Sequence, residues 1–322
     1  MLKLPTSNQP QHNFYLAPLR GITDRVFRAA FEKHFVRLDY MLAPFIPTIR
    51  GDRVKEHHIK DILPDNSSND PLRLIPQIIG NDSDGFLLLS RRFADLGFAS
   101  VNWNLGCPAP LITKKKRGSG LLPHKDIIKK FLDDTVPKLS IPLSIKTRLG
   151  LNSKDDLEAL VPIFNNYPLK ELIIHPRTGS QLYDGTVDVD KFEICMKMST
   201  HSIVYNGDIR TVDDFNYLAK RFPNVNNWMI GRGLIRNLNL IGEIKKEPVQ
   251  PIQKFLDDLL DAHLNRSAVL GRMKEIWRYL GDGLDETGAL TEKIMRCKTI
   301  DEYKNLLKSF LGNGGKSPVC QR

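Results

Sequence analysis

Cys107 is where a reaction can first be attached to this chain. It stands between Gly106 and Pro108 at the end of Ser100-Val101-Asn102-Trp103-Asn104-Leu105, a stretch that reads as a buried strand, so the thiol falls at the strand's C-terminal tip. A thiol so placed can be a nucleophile, a metal ligand or a proton donor, and the neighbouring charge decides which through its pKa. Comparable groups close other strand-like runs. Lys146 emerges from the run Ile141 to Ile145, and His175 ends the run Leu172 to Ile174. A cation held beside a ligand can stabilise negative charge developing on a heteroaromatic ring. Asn206-Gly207-Asp208 and Gly231-Arg232-Gly233 suit a phosphate, because glycine lets backbone N–H groups approach closely and Arg232 can add a charge-assisted bond.

These groups are useful only if one fold brings them together. Short apolar runs bounded by turn residues mark eight strands, at 14–19, 39–46, 72–79, 99–105, 142–147, 171–175, 202–205 and 227–230. Stretches of helical period lie between most of them, at 25–34, 84–96, 125–136, 155–165, 189–198, 211–222 and 234–245. Such alternation predicts an α/β (β/α)8 TIM barrel, whose chemistry sits at the C-terminal ends of the strands and whose last two strand loops often bind phosphate. The polar segment 50–70 is an excursion between the second and third strands. Beyond Pro248 and Pro251 only helical stripes remain, such as Phe255, Leu256, Leu259 and Leu260. The expected organisation is therefore a catalytic barrel over 1–247 and an all-helical domain over 248–322, with a flexible tail from about 312.

Composition narrows the class. With 41% apolar and 26% charged residues, the chain is neither disordered nor fibrous, and it has no apolar run long enough for a membrane span. Its first 14 residues lack the apolar core of a secretory signal, so a cytoplasmic location is expected. Four well-separated cysteines form no CxxC pair, which points to reduced thiols and no zinc. No GxGxxG follows a strand, which argues against an integral dinucleotide-binding domain. The net charge of +10 favours a polyanionic partner, and the densest basic run is Lys114-Lys115-Lys116-Arg117.

Six segments, taken in order, resemble the motifs of tRNA-dihydrouridine synthases. They are Leu16-Ala17-Pro18-Leu19-Arg20-Gly21, Asn104-Leu105-Gly106-Cys107-Pro108 with Gly118-Ser119-Gly120-Leu121-Leu122, Lys146-Thr147-Arg148-Leu149-Gly150, His175-Pro176-Arg177-Thr178, Asn206-Gly207-Asp208-Ile209 and Ile230-Gly231-Arg232-Gly233. The likeness spans about residues 14–235. Leu19-Arg20, Trp103 and Pro176 depart from the residues more usual in that family.

The resemblance implies an FMN-dependent enzyme that saturates the C5–C6 bond of a uridine in tRNA, with NADPH as reductant. By position, Ala17, Pro18 and Leu19 would lie against the flavin ring, and Gln77, Lys146 and His175 would hydrogen-bond it. Asn206, Gly207, Asp208, Gly231 and Arg232 would hold the phosphate end. Cys107 would be the general acid that protonates C5, and Asn104 would help position the base. Lys114, Lys115, Lys116 and Arg117 are the main candidates for tRNA contact, with Arg148 and Arg177 as further ones. A monomer with no metal is expected. Two other readings stay open: a flavin barrel that reduces a small pyrimidine or enone, and a non-catalytic RNA-binding barrel.

Overall fold

The computed structural model describes residues 12–49, 51–64, 69–264, 269–285 and 287–312. Ten strand segments form the centre: β1 (Asn13–Leu16), β2 (Tyr40–Leu42), β3 (Ile46–Pro47), β4 (Leu74–Ile75), β5 (Gln77–Ile79), β6 (Val101–Leu105), β7 (Leu143–Gly150), β8 (Leu172–Thr178), β9 (Ile203–Tyr205) and β10 (Asn227–Ile230). All pairings are parallel, and β10 pairs with β1, as a TIM-barrel-like sheet requires.

The second and third expected strands are each split in two. β2 pairs with β4 and β3 with β5, and the breaks fall at Ala43-Pro44-Phe45 and at Pro76. A proline has no N–H for the ladder, so two prolines on neighbouring strands interrupt it at the same level. Three residues there oppose two, which makes a bulge.

Alternation along the strands decides what faces inward. Trp103 stacks on Phe131 of the surrounding helix Lys125–Thr135, with ring centroids 4.0 Å apart, so Asn102 and Asn104 point the other way, into the barrel. The same parity turns Lys146 and Arg148 of β7, His175 and Arg177 of β8, and Asn206 after β9 inward. Lower down, the interior is a small apolar cluster of Tyr15, Leu42, Ile75, Ile173, Val204 and Met229, with Ala17 above it.

Helices cover the outside. Arg25–His34 begins at Asp24, whose carboxylate accepts from the Phe27 N–H at 3.1 Å. The stretch expected as one helix over 234–245 is two short ones, Arg232–Arg236 and Leu240–Ile244. The Asn237 side chain accepts from the Asn239 N–H at 3.0 Å, a local turn that competes with helix. The 50–70 excursion holds a short helix, Glu56–Ile59, and is tied to the barrel by the buried Arg28 guanidinium, which donates to Asp61, Asn69 and the Thr23 carbonyl.

Among the described residues after 250 the regular elements are all helices: Gln253–His263, Val269–Leu284, Ala289–Arg296 and Ile300–Gly312. Phe255 sits edge-on to Phe27 at 5.5 Å and to Phe35 at 5.4 Å, and Arg272 binds the Ile22 carbonyl at 2.9 Å and Asp24 at 2.8 Å. The expected flexible tail beyond Gly312 lies outside the described residues. No helix among the described residues is long and apolar enough to cross a membrane.

Candidate active site

The C-terminal ends of β1, β7, β8, β9 and β10 surround one cavity. Ten of the eleven residues expected at a cofactor line it: Ala17, Pro18, Leu19, Lys146, His175, Asn206, Gly207, Asp208, Gly231 and Arg232. Its remaining lining includes Ile209 of the Asn206 motif, and Tyr183, Arg210 and Met229, which lie outside the motifs. A side chain at Gly233 would collide with the Ile209 carbonyl, so the turn after β9 and the helix start after β10 can close together only over a glycine. Gln77 is absent from the lining. It is wholly buried and bonded to Asn102 and Asn104.

The Lys146 ammonium makes no hydrogen bond or ion pair to another described residue, and burial followed by the charge of Arg148 lowers its pKa to about 7. His175 is buried among Arg148, Lys146, Arg177 and Arg232, and burial first and then those charges hold it well below its ordinary range. The site is thus a cationic mouth with a neutral imidazole in it. Such a mouth suits an electron-rich ring and a phosphate.

Cys107 is half-buried and absent from that cavity's lining, but its thiol lies within electrostatic reach of Lys146 and Arg148, on a loop fixed from both sides. The Asn104 side-chain oxygen accepts from the backbone N–H of Gly106 at 3.0 Å and of Cys107 at 2.9 Å. The Cys107 carbonyl accepts from both the N–H and the hydroxyl of Ser119, at 3.0 and 3.1 Å. Gly118 lies against this loop with φ +56, and a side chain there would come within 2.5 Å of the Cys107 carbonyl oxygen. Burial raises the thiol pKa, while the Ala109 N–H and the charges of Arg148, Arg20 and Lys146 pull the other way. The sulfur is therefore a protonated thiol at neutral pH.

The dihydrouridine synthase (Dus) family model matches residues 15–313. The chain belongs to this family. It is 26% identical over 281 residues to tRNA-dihydrouridine synthase B of Pasteurella multocida strain Pm70, covering 85% of this chain and 80% of that one. It is also 26% identical to a probable tRNA-dihydrouridine synthase of Staphylococcus aureus strain COL, covering 94% of each. Among solved structures, morphinone reductase shares the fold with a TM-score of 0.51 at 9% identity, over 76% of this chain and 88% of that one. Histamine dehydrogenase from Rhizobium sp. 4-9 does so with a TM-score of 0.55 at 10% identity, over 82% of this chain and 49% of that one.

Within this dihydrouridine synthase, several residues sit where sequence reasoning did not put them. Arg177, expected to touch RNA, is wholly buried. Its guanidinium donates to His175, to both carboxylate oxygens of Asp208 and to the carbonyls of Asp184 and Gly185, which leaves no N–H for a phosphate outside. Arg148, also an RNA candidate, is buried too. It bonds the Thr178 carbonyl at 2.7 Å and lies 5.3 Å from the Tyr183 ring centre, away from the surface. Asp208, expected to hold the phosphate, is an anion that binds Arg177 and Arg232 and lies 3.7 Å from Arg210, so it orients the arginines of the cavity. Lys114, Lys115 and Lys116 are exposed on the loop after Cys107, whereas Arg117 is half-buried beside Asn81 at 3.4 Å.

The sequence reasoning missed Tyr183. Its ring lies 4.3 Å from Arg232 and 5.3 Å from Arg148, and it overhangs the cavity from the loop after β8. The one signal for it was an aromatic in the loop that follows His175-Pro176-Arg177.

Proposed function

We propose that this protein reduces the C5–C6 double bond of a uridine in tRNA, with FMN as its flavin, NADPH as the reductant and Cys107 as the proton donor. The observation that carries this reading is the clamped, protonated thiol of Cys107 within electrostatic reach of the Lys146 ammonium, which lines the cavity without a side-chain partner, in a chain of the dihydrouridine synthase family.

The residues fit a flavin mononucleotide. Ala17, Leu19 and Met229 give an apolar wall, Arg210 and Arg232 offer charge to a terminal phosphate beside the Gly207 and Gly231 turns, and Lys146 is unpaired beside them. A reduced flavin, when bound, supplies a hydride to C6 of the uracil ring. Lys146 and the neutral His175 would hold the ring system in place and balance its negative charge. The Cys107 S–H would then deliver a proton to C5, a role that requires the thiol form its burial favours. A stacked uridine cannot reach this depth, so the base must be extruded from the tRNA. The exposed Lys114, Lys115 and Lys116 would meet the tRNA backbone beside the mouth. Residues 1–247 would then be the catalytic part and the helices after 248 a second tRNA-docking surface.

The deciding experiment supplies purified, FMN-loaded protein with NADPH and either unmodified tRNA or free uridine. Dihydrouridine in the tRNA, with little turnover of the nucleoside, is the expected result. Faster turnover of the free nucleoside would make it a small-pyrimidine reductase, and a protein that takes up no FMN would make it a non-catalytic RNA binder.

A further inference from the structure

Behind Cys107 runs a buried line of side-chain amides that neither the motifs nor the cavity lining announces. From the loop inward, Asn104 Nδ2 donates to Gln77 Oε1 at 2.8 Å, Gln77 Nε2 donates to Asn102 Oδ1 at 2.8 Å, and Asn102 Nδ2 donates to Ser144 Oγ at 2.8 Å. Ser144 Oγ lies 3.4 Å from the Val101 carbonyl. Gln77, Asn102 and Ser144 are Cα partners in register across β5, β6 and β7, and all three are wholly buried.

An amide can be turned over to exchange its oxygen and nitrogen, and in isolation each of these three could sit either way. Here the ends of the line forbid it. The two backbone N–H groups of Gly106 and Cys107 can only donate, so Asn104 must present its oxygen to them. Its nitrogen then faces Gln77, which must offer oxygen and show its own nitrogen to Asn102. At the far end the Val101 carbonyl can only accept, so Ser144 gives its proton there and its lone pair to Asn102. Turning over any one amide would set donor against donor or oxygen against oxygen in the barrel interior, where an unmade bond carries its full desolvation cost.

We propose that Asn102 and Ser144 are positioning residues for the reaction: they fix the amide orientation of Gln77 and Asn104 and, through Asn104, hold the Cys107 loop in its proton-donating place. One consequence concerns the ligand. With both lone pairs of its oxygen taken by the Gly106 and Cys107 N–H groups, Asn104 keeps only its second N–H to offer, so it admits a carbonyl acceptor, as uracil has, and disfavours an exocyclic amine, as in cytosine.

The proposal rests on the reading of Cys107 as the acid, and its test has one arm that does not. Asn102→Ala removes the line's middle acceptor. Asn102→Asp keeps that acceptor toward Gln77, and Ser144 can rotate its hydroxyl to serve it. In the apoprotein, iodoacetamide labelling of Cys107, followed by peptide mass spectrometry, should rise about fivefold for Asn102→Ala as the loop loosens and stay within about twofold for Asn102→Asp. In the FMN-loaded protein, single-turnover reduction of tRNA should fall about tenfold for Asn102→Ala and be largely restored in Asn102→Asp. Should Asn102→Ala not fold, Ser144→Ala must move both readouts in the same direction. Unchanged labelling and unchanged tRNA reduction in a folded Asn102→Ala or Ser144→Ala protein would overturn the proposal, as would an aspartate variant no better than alanine. Labelling that shifts as expected in a protein whose wild type reduces no tRNA would keep the positioning role and reject the functional reading instead.

Discussion

Arg177 donates from Nη1 to Nε2 of His175 across 3.2 Å. A guanidinium has no acceptor, so the imidazole must be neutral and carry its proton on Nδ1. Protonating His175 would break this bond and place a fifth positive charge beside Arg148, Lys146, Arg177 and Arg232. The folded pKa therefore lies well below the ordinary 6.5, and between the two values the unfolded chain binds more protons than the folded one. The stability contribution of a neutral His175 is complete above 6.5 and is lost as pH falls toward the folded value. Melting temperatures of wild type and His175→Gln, compared at successive pH values, should converge as the solution is acidified below that point. Parallel curves would show that His175 does not titrate this way.

Lys146 makes the opposite demand on an empty cavity. Its pKa falls from 10.5 to about 7, so the unfolded chain binds more protons between those values and apoprotein stability should rise with pH across that window. Replacing it by methionine removes the buried charge. Lys146→Met should stabilise the apoprotein at pH 7 by about 1–3 kcal/mol, discounted for the solvent contact the side chain retains, and should flatten the rise above pH 7. The same variant should bind FMN less tightly, and wild-type affinity should weaken as pH climbs past 7. Urea unfolding at two pH values and quenching of flavin fluorescence read both effects.

The thiol acts last and should be separable from everything before it. Cys107→Ala is expected to bind FMN and to accept electrons from NADPH as the wild type does, while tRNA reduction drops about 100-fold or more. Because a thiolate has no proton to give, the wild-type rate of tRNA reduction should fall on the alkaline side, at a pH above the ordinary 9.0 of a thiol since burial raises it. Stopped-flow traces of each half-reaction distinguish the two steps.

Gly118 supports the same loop without touching substrate. It has φ +56, and its missing side chain is replaced by the Cys107 backbone. Gly118→Ala should therefore displace the loop and slow tRNA reduction about tenfold, with flavin binding unchanged. Equal loss of both would mean that the variant damages the barrel at large.

Much of this arrangement is written locally in the chain. Apolar runs ending in Asn104-Leu105-Gly106-Cys107, Lys146 and His175 fix both the strands and the level at which their side chains enter the mouth, because alternation along a strand is a short-range property. What stays hidden is who pairs with whom across strands. Arg177 reads as a free cation until Asp208, 31 positions away, takes both arms of its guanidinium. Asn102 reads as a polar defect in an apolar strand until Gln77 and Ser144 close around it. The split of the second and third strands was visible as Pro44 and Pro76, but that the two breaks lie side by side depends on sheet register.

The basic loop offers the last prediction, and its geometry sharpens the expectation. Asn81 donates to the carbonyls of Lys115 and Lys116 at 3.3 and 3.2 Å and lies beside Arg117, so the loop's backbone is held while its three lysine side chains stay exposed. Held cations on the loop that follows Cys107 can contact phosphates flanking an extruded nucleotide. Each such contact releases a counterion and adds about 0.7–0.9 to the slope of log affinity against log salt. Changing Lys114, Lys115 and Lys116 together to Gln should thus weaken tRNA binding and reduce that slope by about 2, whereas Arg117→Gln alone, already turned toward Asn81, should reduce it by less than about 1. Filter binding at several salt concentrations gives the slopes directly. Identical slopes in wild type and the triple variant would leave those lysines as solvated surface and move the tRNA contact to the helices after residue 250.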